Sequence, residues 1–163
     1  MPGRFAFPHP VNETSARLVA TGVVLMSAAL LVSGSGWLLV PLIYGFLARV
    51  TTGPTLSPLG LIATKVITPR IRRQHRFVAG PPKRFAQFVG LLFSASAGAL
   101  WVADYVVAAK WVIAALLLAA ALEAFLAICL GCIVFGWLMR LGLVPDEVCE
   151  ECNSLPSVLA NRK

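Results

Sequence analysis

Charge is scarce in this 163-residue chain. Only 13% of its residues are charged, against about a quarter in a typical soluble domain. Acids are scarcer still, seven Asp and Glu against fourteen Lys and Arg. There are two histidines, His9 and His75, and neither has a partner at metal-ligand spacing, so both read as solvated side chains. No His-Glu-x-x-His pattern, no phosphate-cradling glycine loop and no Ser-His-Asp order occurs, which removes zinc-protease, nucleotide-binding and serine-hydrolase readings. The first 17 residues hold Phe7-Pro8-His9-Pro10 and Glu13 but no apolar core, so they do not read as a signal peptide. The whole chain is expected to stay in the membrane.

Apolar residues are present in abundance, 58% of the total. No shift in composition divides the chain, so a single domain is expected over 1–163. The run from Leu18 to Val50 is interrupted only by Ser33-Gly34-Ser35-Gly36. A single span needs about 20 residues, so this run reads as a helical hairpin near 16–34 and 37–50, turning on the glycines. One long tilted helix is the alternative. Pro41 then lies in the first turn of the second helix, where a missing N–H costs little. Gly80-Pro81-Pro82 precedes Lys83-Arg84-Phe85-Ala86-Gln87, a suitable entry for a third span near 88–103. Its Ser94, Ala95, Ser96, Ala97, Gly98 and Ala99 allow close helix approach. Asp104 to Lys110 forms a polar break, and a fourth span runs over 111–138. The fold expected is an all-α integral membrane bundle of about four transmembrane helices.

Seven of the fourteen basic residues (Lys65, Arg70, Arg72, Arg73, Arg76, Lys83 and Arg84) fall in the 51–87 connection between helices 2 and 3, which contains no acid. Clustering in one loop of an apolar chain is a topology signal before it is a nucleic-acid signal. It places that basic loop in the cytoplasm, and with four spans it places both termini there too. Arg4, Arg17, Arg140, Arg162 and Lys163 agree. The expected location is a multi-pass protein of the plasma (inner) membrane, with the lipid bilayer as its partner and no nucleic acid. The stretch Leu59–Ile67 reads as an interfacial segment. Trp37, Trp101, Trp111 and Trp137 fall near span ends, as an aromatic belt does. Residues 141–163 form a polar tail holding Asp146, Glu147, Glu150 and Glu151.

The four cysteines form two Cys-x-x-Cys pairs, Cys129 with Cys132 and Cys149 with Cys152. Both fall on the side assigned to the reducing cytosol, which argues against permanent disulfides. Three readings stay open. Residues three apart on a helix share a face, so Cys129 and Cys132 can exchange a disulfide, with Cys149 and Cys152 as a shuttle on the tail. Glu150 and Glu151 disfavour a thiolate in that second pair. Alternatively, the 16-residue interval between Cys132 and Cys149 fits a template for structural zinc held by all four thiolates. The bland reading makes Cys129 and Cys132 small packing residues. Glu123 also stands out, because a carboxylate within a span is a functional hypothesis by default. It is expected to hydrogen-bond Ser94 or Ser96, or to accept protons. On an unbroken helix it lies about 120° from Cys129 and nearly opposite Cys132, and serves them only if the helix bends near Gly131.

Taken together, several segments carry a resemblance: Phe7-Pro8-His9-Pro10-Val11-Asn12-Glu13, Gly53-Pro54 with Ser57-Pro58-Leu59-Gly60, Gly80 to Gln87, and Leu122-Glu123 followed by Cys129-Leu130-Gly131-Cys132. They resemble the bacterial membrane family known as domain of unknown function 4395, over about Phe7 to Cys152. The resemblance implies a small multi-span protein without assigned catalytic residues. It also implies a setting among cytosolic thioredoxin-like proteins and sulfurtransferases. The function expected is a membrane-embedded dithiol relay for electrons or sulfane sulfur. The alternative is a non-enzymatic assembly or transport subunit whose cysteines bind zinc or only pack. Transport is the weaker of these, since no repeat relates the two helix pairs.

Overall fold

The computed structural model describes residues 11–71 and 77–143. Helix α1 (Glu13–Ser33) starts where the Asn12 Oδ1 accepts the Thr14 N–H at 2.9 Å, which satisfies one of the helix's free donors. It ends on Gly34 at φ 65°, whose N–H reaches the Leu30 carbonyl. That left-handed conformation is one that glycine adopts without strain. The Leu18–Val50 run is therefore two helices: after a short 3₁₀ turn, α2 occupies Leu39–Thr52. A second turn at Gly53–Thr55 leads to α3 (Pro58–Leu61), capped by Ser57 Oγ, and a π-helical extension over Ile62–Ile67. A two-residue antiparallel ladder joins β1 (Val11–Asn12) to β2 (Phe77–Val78).

Helix α4 (Gly80–Val102) begins eight residues before the expected third span, with Pro81 and Pro82 in its first turn. Proline is pre-shaped for that position and lacks only an N–H that has no helical partner there. The expected 51–87 loop is thus largely helical, and Lys83 and Arg84 belong to α4. The expected polar break shrinks to 103–105, with Asp104 at φ 67°, and Lys110 lies inside α5 (Val106–Leu126). A larger correction concerns the fourth span. It is not one helix over 111–138, because the chain breaks at 127–129 and resumes as α6 (Leu130–Arg140).

The break has no glycine or proline. Ala127 is left-handed (φ 57°), and the Leu122 carbonyl accepts both the Ala127 and Ile128 N–H groups. Arg17 of α1 supplies the rest. Its Nε donates to the Ala124 carbonyl at 3.0 Å and its Nη2 to the Phe125 carbonyl at 3.2 Å. A cation on the free carbonyls of a helix end opposes the negative pole of the helix, so α5 is stopped by a residue 107 positions away in sequence.

Among the described residues, four helical stretches are long and apolar enough to cross a bilayer, within 13–33, 36–70, 80–102 and 106–126. The protein is an all-α, multi-pass membrane bundle set in lipid. Helix α1 packs on α5, α2 on α4, and α4 on both α5 and α6. Val23, Leu30, Leu42, Phe46, Ala97 and Ile113 form the core, while Val32, Val102, Trp111 and Leu118 point outward. Helices apolar on both faces are what a lipid-bounded bundle requires. Trp37, Trp111 and Trp137 are exposed, whereas Trp101 lies over Gly36, where a Cβ would strike its indole. Short turns at 34–38 and 103–105 make the helices antiparallel, so one end gathers the start of α1, the end of α2, the start of α4 and the end of α5. Gly90 of α4 lies under the Phe46 ring. We expect Gly90→Ala to cost about 1–3 kcal/mol through overpacking, measured as a lower unfolding midpoint in detergent.

Candidate functional site

The segment Lys83-Arg84-Phe85-Ala86-Gln87 occupies the second turn of α4, and its five residues meet three other helices. Lys83 Nζ pairs with Glu123 Oε1 of α5 at 2.5 Å. Arg84 Nε donates to the Val50 carbonyl in the last turn of α2. Phe85 meets Phe135 of α6 with ring centroids 5.6 Å apart and planes tilted by 52°. Ala86 lies against Gly131, where an added Cβ would stand 2.6 Å from both its Cα and its Cβ. Gln87 Oε1 accepts Arg49 Nε at 2.7 Å. One turn of helix thereby ties α2, α5 and α6 to α4 at one end of the bundle.

The same turn explains where the cysteines sit. Gly131 lets α6 approach the α4 backbone, which brings the start of α6 against Lys83 and Glu123. Cys129 is the N-cap of α6, and its Sγ accepts the Cys132 N–H at 3.3 Å. Both are free thiols, Cys129 buried and Cys132 half-buried. Lys83 and Glu123 lie within electrostatic reach of both sulfurs. The expected packing of Cys129 and Cys132 along a continuous helix is corrected: they stand at a helix start, as a cap and the third residue of the first turn.

Glu123 has a different partner from the one expected. Ser94 Oγ donates to the Leu91 carbonyl within its own helix, and Glu123 bonds Lys83 instead. An ammonium satisfies a carboxylate at membrane depth better than a hydroxyl, because it removes the charge as well as supplying a donor. The angular separation from the cysteines also no longer applies, since α5 ends at Leu126. The break leaves Glu123, Cys129 and Cys132 all within electrostatic reach of Lys83, although among the described residues no three His, Cys, Asp or Glu side chains converge as a metal site. Cys149 and Cys152, the other half of both the shuttle and the zinc readings, lie outside the described residues, as do His9 and His75.

Arg49 was not marked by any sequence motif. Its side chain is 5% exposed, with Nε on Gln87, Nη1 on Ser57 Oγ at 3.2 Å and the guanidinium 4.6 Å above the Phe46 ring. The one signal available was its position, a cation interrupting an apolar run before Gly53-Pro54.

No curated protein and no solved structure matches the chain. The family described as "Domain of unknown function (DUF4395)" matches over residues 11–140, which takes in Lys83, Glu123, Cys129 and Cys132 and stops short of Cys149 and Cys152. With most of its length matched, the chain belongs to that family of unknown function.

Proposed function

We propose that this protein is a membrane-embedded dithiol relay for electrons or sulfane sulfur, with Cys129 and Cys132 as the exchanging pair. The observation that carries the reading is the N-cap position of Cys129, its sulfur accepting the Cys132 N–H at 3.3 Å. A sulfur at a helix start, near an ammonium and with a second thiol three residues on, is the setting in which a thiolate attacks a disulfide.

The exchange runs in two steps. Cys129 thiolate attacks one sulfur of a partner disulfide, forming a mixed disulfide and releasing the partner's other sulfur as thiolate. Cys132 then gives its proton to Glu123 and attacks Cys129 Sγ. That step closes the Cys129–Cys132 disulfide and releases the partner as a dithiol, two electrons having passed to it. With a persulfide donor, Cys129 attacks the terminal sulfur and becomes a persulfide while the donor leaves as a thiol. Glu123 suits the proton role because its Oε1 is held by Lys83 and its Oε2 accepts no hydrogen bond among the described residues. Cys149 and Cys152 are the proposed shuttle from the tail. A cytosolic thioredoxin-like protein or sulfurtransferase is the proposed partner. The basic end then faces the cytoplasm of the plasma (inner) membrane, as the clustering of Lys and Arg favours.

The test is intact mass after alkylation, together with elemental analysis, on detergent-purified protein prepared without chelator. We expect no zinc, and one cysteine pair that switches reversibly between dithiol and disulfide or persulfide. Cys129→Ser should abolish the exchange, and Cys132→Ser should accumulate the mixed disulfide. One zinc per chain, with all four thiols protected until a chelator is added, would overturn the relay and establish a structural metal site. Full complementation of a thiol-dependent deletion phenotype by the Cys129→Ser, Cys132→Ser double variant would also overturn it.

A further inference from the structure

Lys83 also lines a cavity of about 290 Å³ that opens between α1, α2, α4 and the π-helical segment. Ser15, Arg49, Thr64, Thr68, Lys83 and Gln87 supply its polar lining, and no acid lines it among the described residues. The hydroxyls are partly committed: Thr68 Oγ1 donates to the Ala63 carbonyl at 2.6 Å, so Ser15 Oγ donates to Thr68, and Thr64 donates to the Gly60 carbonyl. Gln87 spends its oxygen on Arg49, which leaves its amide N–H₂ free to donate. Arg49 commits Nε to Gln87 and Nη1 to Ser57, and its Nη2 makes no hydrogen bond among the described residues.

Charge does not balance at this point. Two cations, Arg49 and Lys83, line the cavity, while the nearby carboxylate, Glu123, lies outside the lining, is bonded to Lys83 and acts on Arg49 by charge alone. Gln87, Ser57 and the Phe46 ring are neutral, so they satisfy donors of Arg49 without cancelling its charge. Arginine remains protonated in any protein setting, so one carboxylate shared between two cations leaves a net positive charge in a largely apolar bundle, which is costly unless an anion offsets it. The N-cap and first turn of α1 contribute Asn12, Ser15 and Ala16 to the lining, and the positive pole of this helix start, which Glu13 in the same turn partly offsets, also faces that end.

We infer that this cavity binds an oxyanion, held by the Arg49 guanidinium, the Gln87 amide and Lys83. The planar fork of arginine matches two oxygens of such a group. The volume lies at the lower edge of the range for small-molecule sites, about 300–1,000 Å³, so a free oxyanion or the phosphate of an anionic lipid headgroup both fit its chemistry. Neither cysteine lines the site, which shares only Lys83 with the relay.

The experiment uses the full-length protein and the variant Gln87→Glu, which places a fixed carboxylate where Arg49 Nε already donates. In neutral detergent, the unfolding midpoint of the wild type is expected to rise saturably with sodium sulfate at constant ionic strength made up with sodium chloride. Q87E should be more stable than the wild type without sulfate, and its response at least about tenfold weaker, equivalent to the loss of one charged partner. General salting-out by sulfate is non-saturable and acts on both proteins alike. If sulfate does nothing but phosphatidylglycerol in phosphatidylcholine nanodiscs stabilises the wild type and not Q87E, the anion is a lipid phosphate. Should Q87E not fold, Arg49→Lys, which keeps the charge but loses the fork, makes the same comparison. The inference is overturned if the wild type responds saturably to neither sulfate nor phosphatidylglycerol, or if the variant responds as the wild type does.

Discussion

Glu123→Gln is expected to destabilise the bundle by about 3–5 kcal/mol, the usual consequence of removing one member of a buried ion pair. The carboxylate is 14% exposed and Lys83 11%, so water cannot take over when the partner is lost. The substitution keeps the shape of the side chain and a hydrogen-bond acceptor, and changes only charge. It leaves two cations, Lys83 and Arg49, at one end of the bundle with no carboxylate between them. Lys83→Met should cost a similar amount, because it strands the Glu123 carboxylate beside two thiols. Combining Lys83→Met with Glu123→Leu should recover most of the loss, since a pair of well-packed apolar residues replaces a buried ion pair at little net cost. Chemical unfolding in detergent measures all four proteins. Equal stability of E123Q and the wild type would show that the pair contributes nothing to the fold. The relay reading adds a separate expectation: the double variant, although stable, should react more slowly with disulfides because Cys129 has lost its neighbouring ammonium.

Gly131→Val should displace α6 altogether. Its Cβ would lie 2.6 Å from Ala86 Cα, and a backbone atom in the second turn of α4 has no rotamer by which to retreat. Even Gly131→Ala introduces that contact, so a loss of more than about 2 kcal/mol is expected, at the upper part of the range for overpacking. Ala86→Gly removes only the Cβ of the pair and leaves the Cα in place, so it should rescue Gly131→Ala poorly. The same displacement would pull Phe135 from Phe85 and uncover Cys129, now 8% exposed. Alkylation of Cys129 by a water-soluble maleimide should therefore accelerate sharply in G131V. An unchanged alkylation rate would mean that α6 does not need this contact. The middle of the Cys-x-Gly-Cys segment thus has a packing reason of its own, whatever the thiols do.

Basic residues had two structural uses here that a topology count does not separate, capping helix ends and neutralising a carboxylate. Arg17 caps the carbonyls of α5, Arg84 caps α2 through Val50, and Lys83 neutralises Glu123. Each lies at the end of the bundle that the positive-inside rule would assign to the cytoplasm. Helix ends with free carbonyls and headgroup-level cations coincide there, so one cluster of Lys and Arg serves both.

What the sequence determined by itself was whatever depends on local composition and backbone chemistry. Sparse charge and long apolar runs placed the chain in lipid. Gly34 marked the first hairpin, since its left-handed backbone is open to glycine, and Gly80-Pro81-Pro82 marked the start of a helix, though read as its approach rather than its first turn. The Cys-x-x-Cys pairing and the anomalous Glu123 were also visible, because neither needs a neighbour to be noticed. Tertiary structure alone decided the break at 127–129. Ala-Ile-Cys carries no turn signal, and the left-handed Ala127 is sustained by Arg17 and by the docking of Gly131 on Ala86. It alone decided that Glu123 pairs with Lys83, forty residues away, and that buried Arg49 hydrogen-bonds Gln87 and Ser57 rather than a carboxylate. These are pairings between segments distant in sequence, set by which helix faces meet, and no local pattern encodes them.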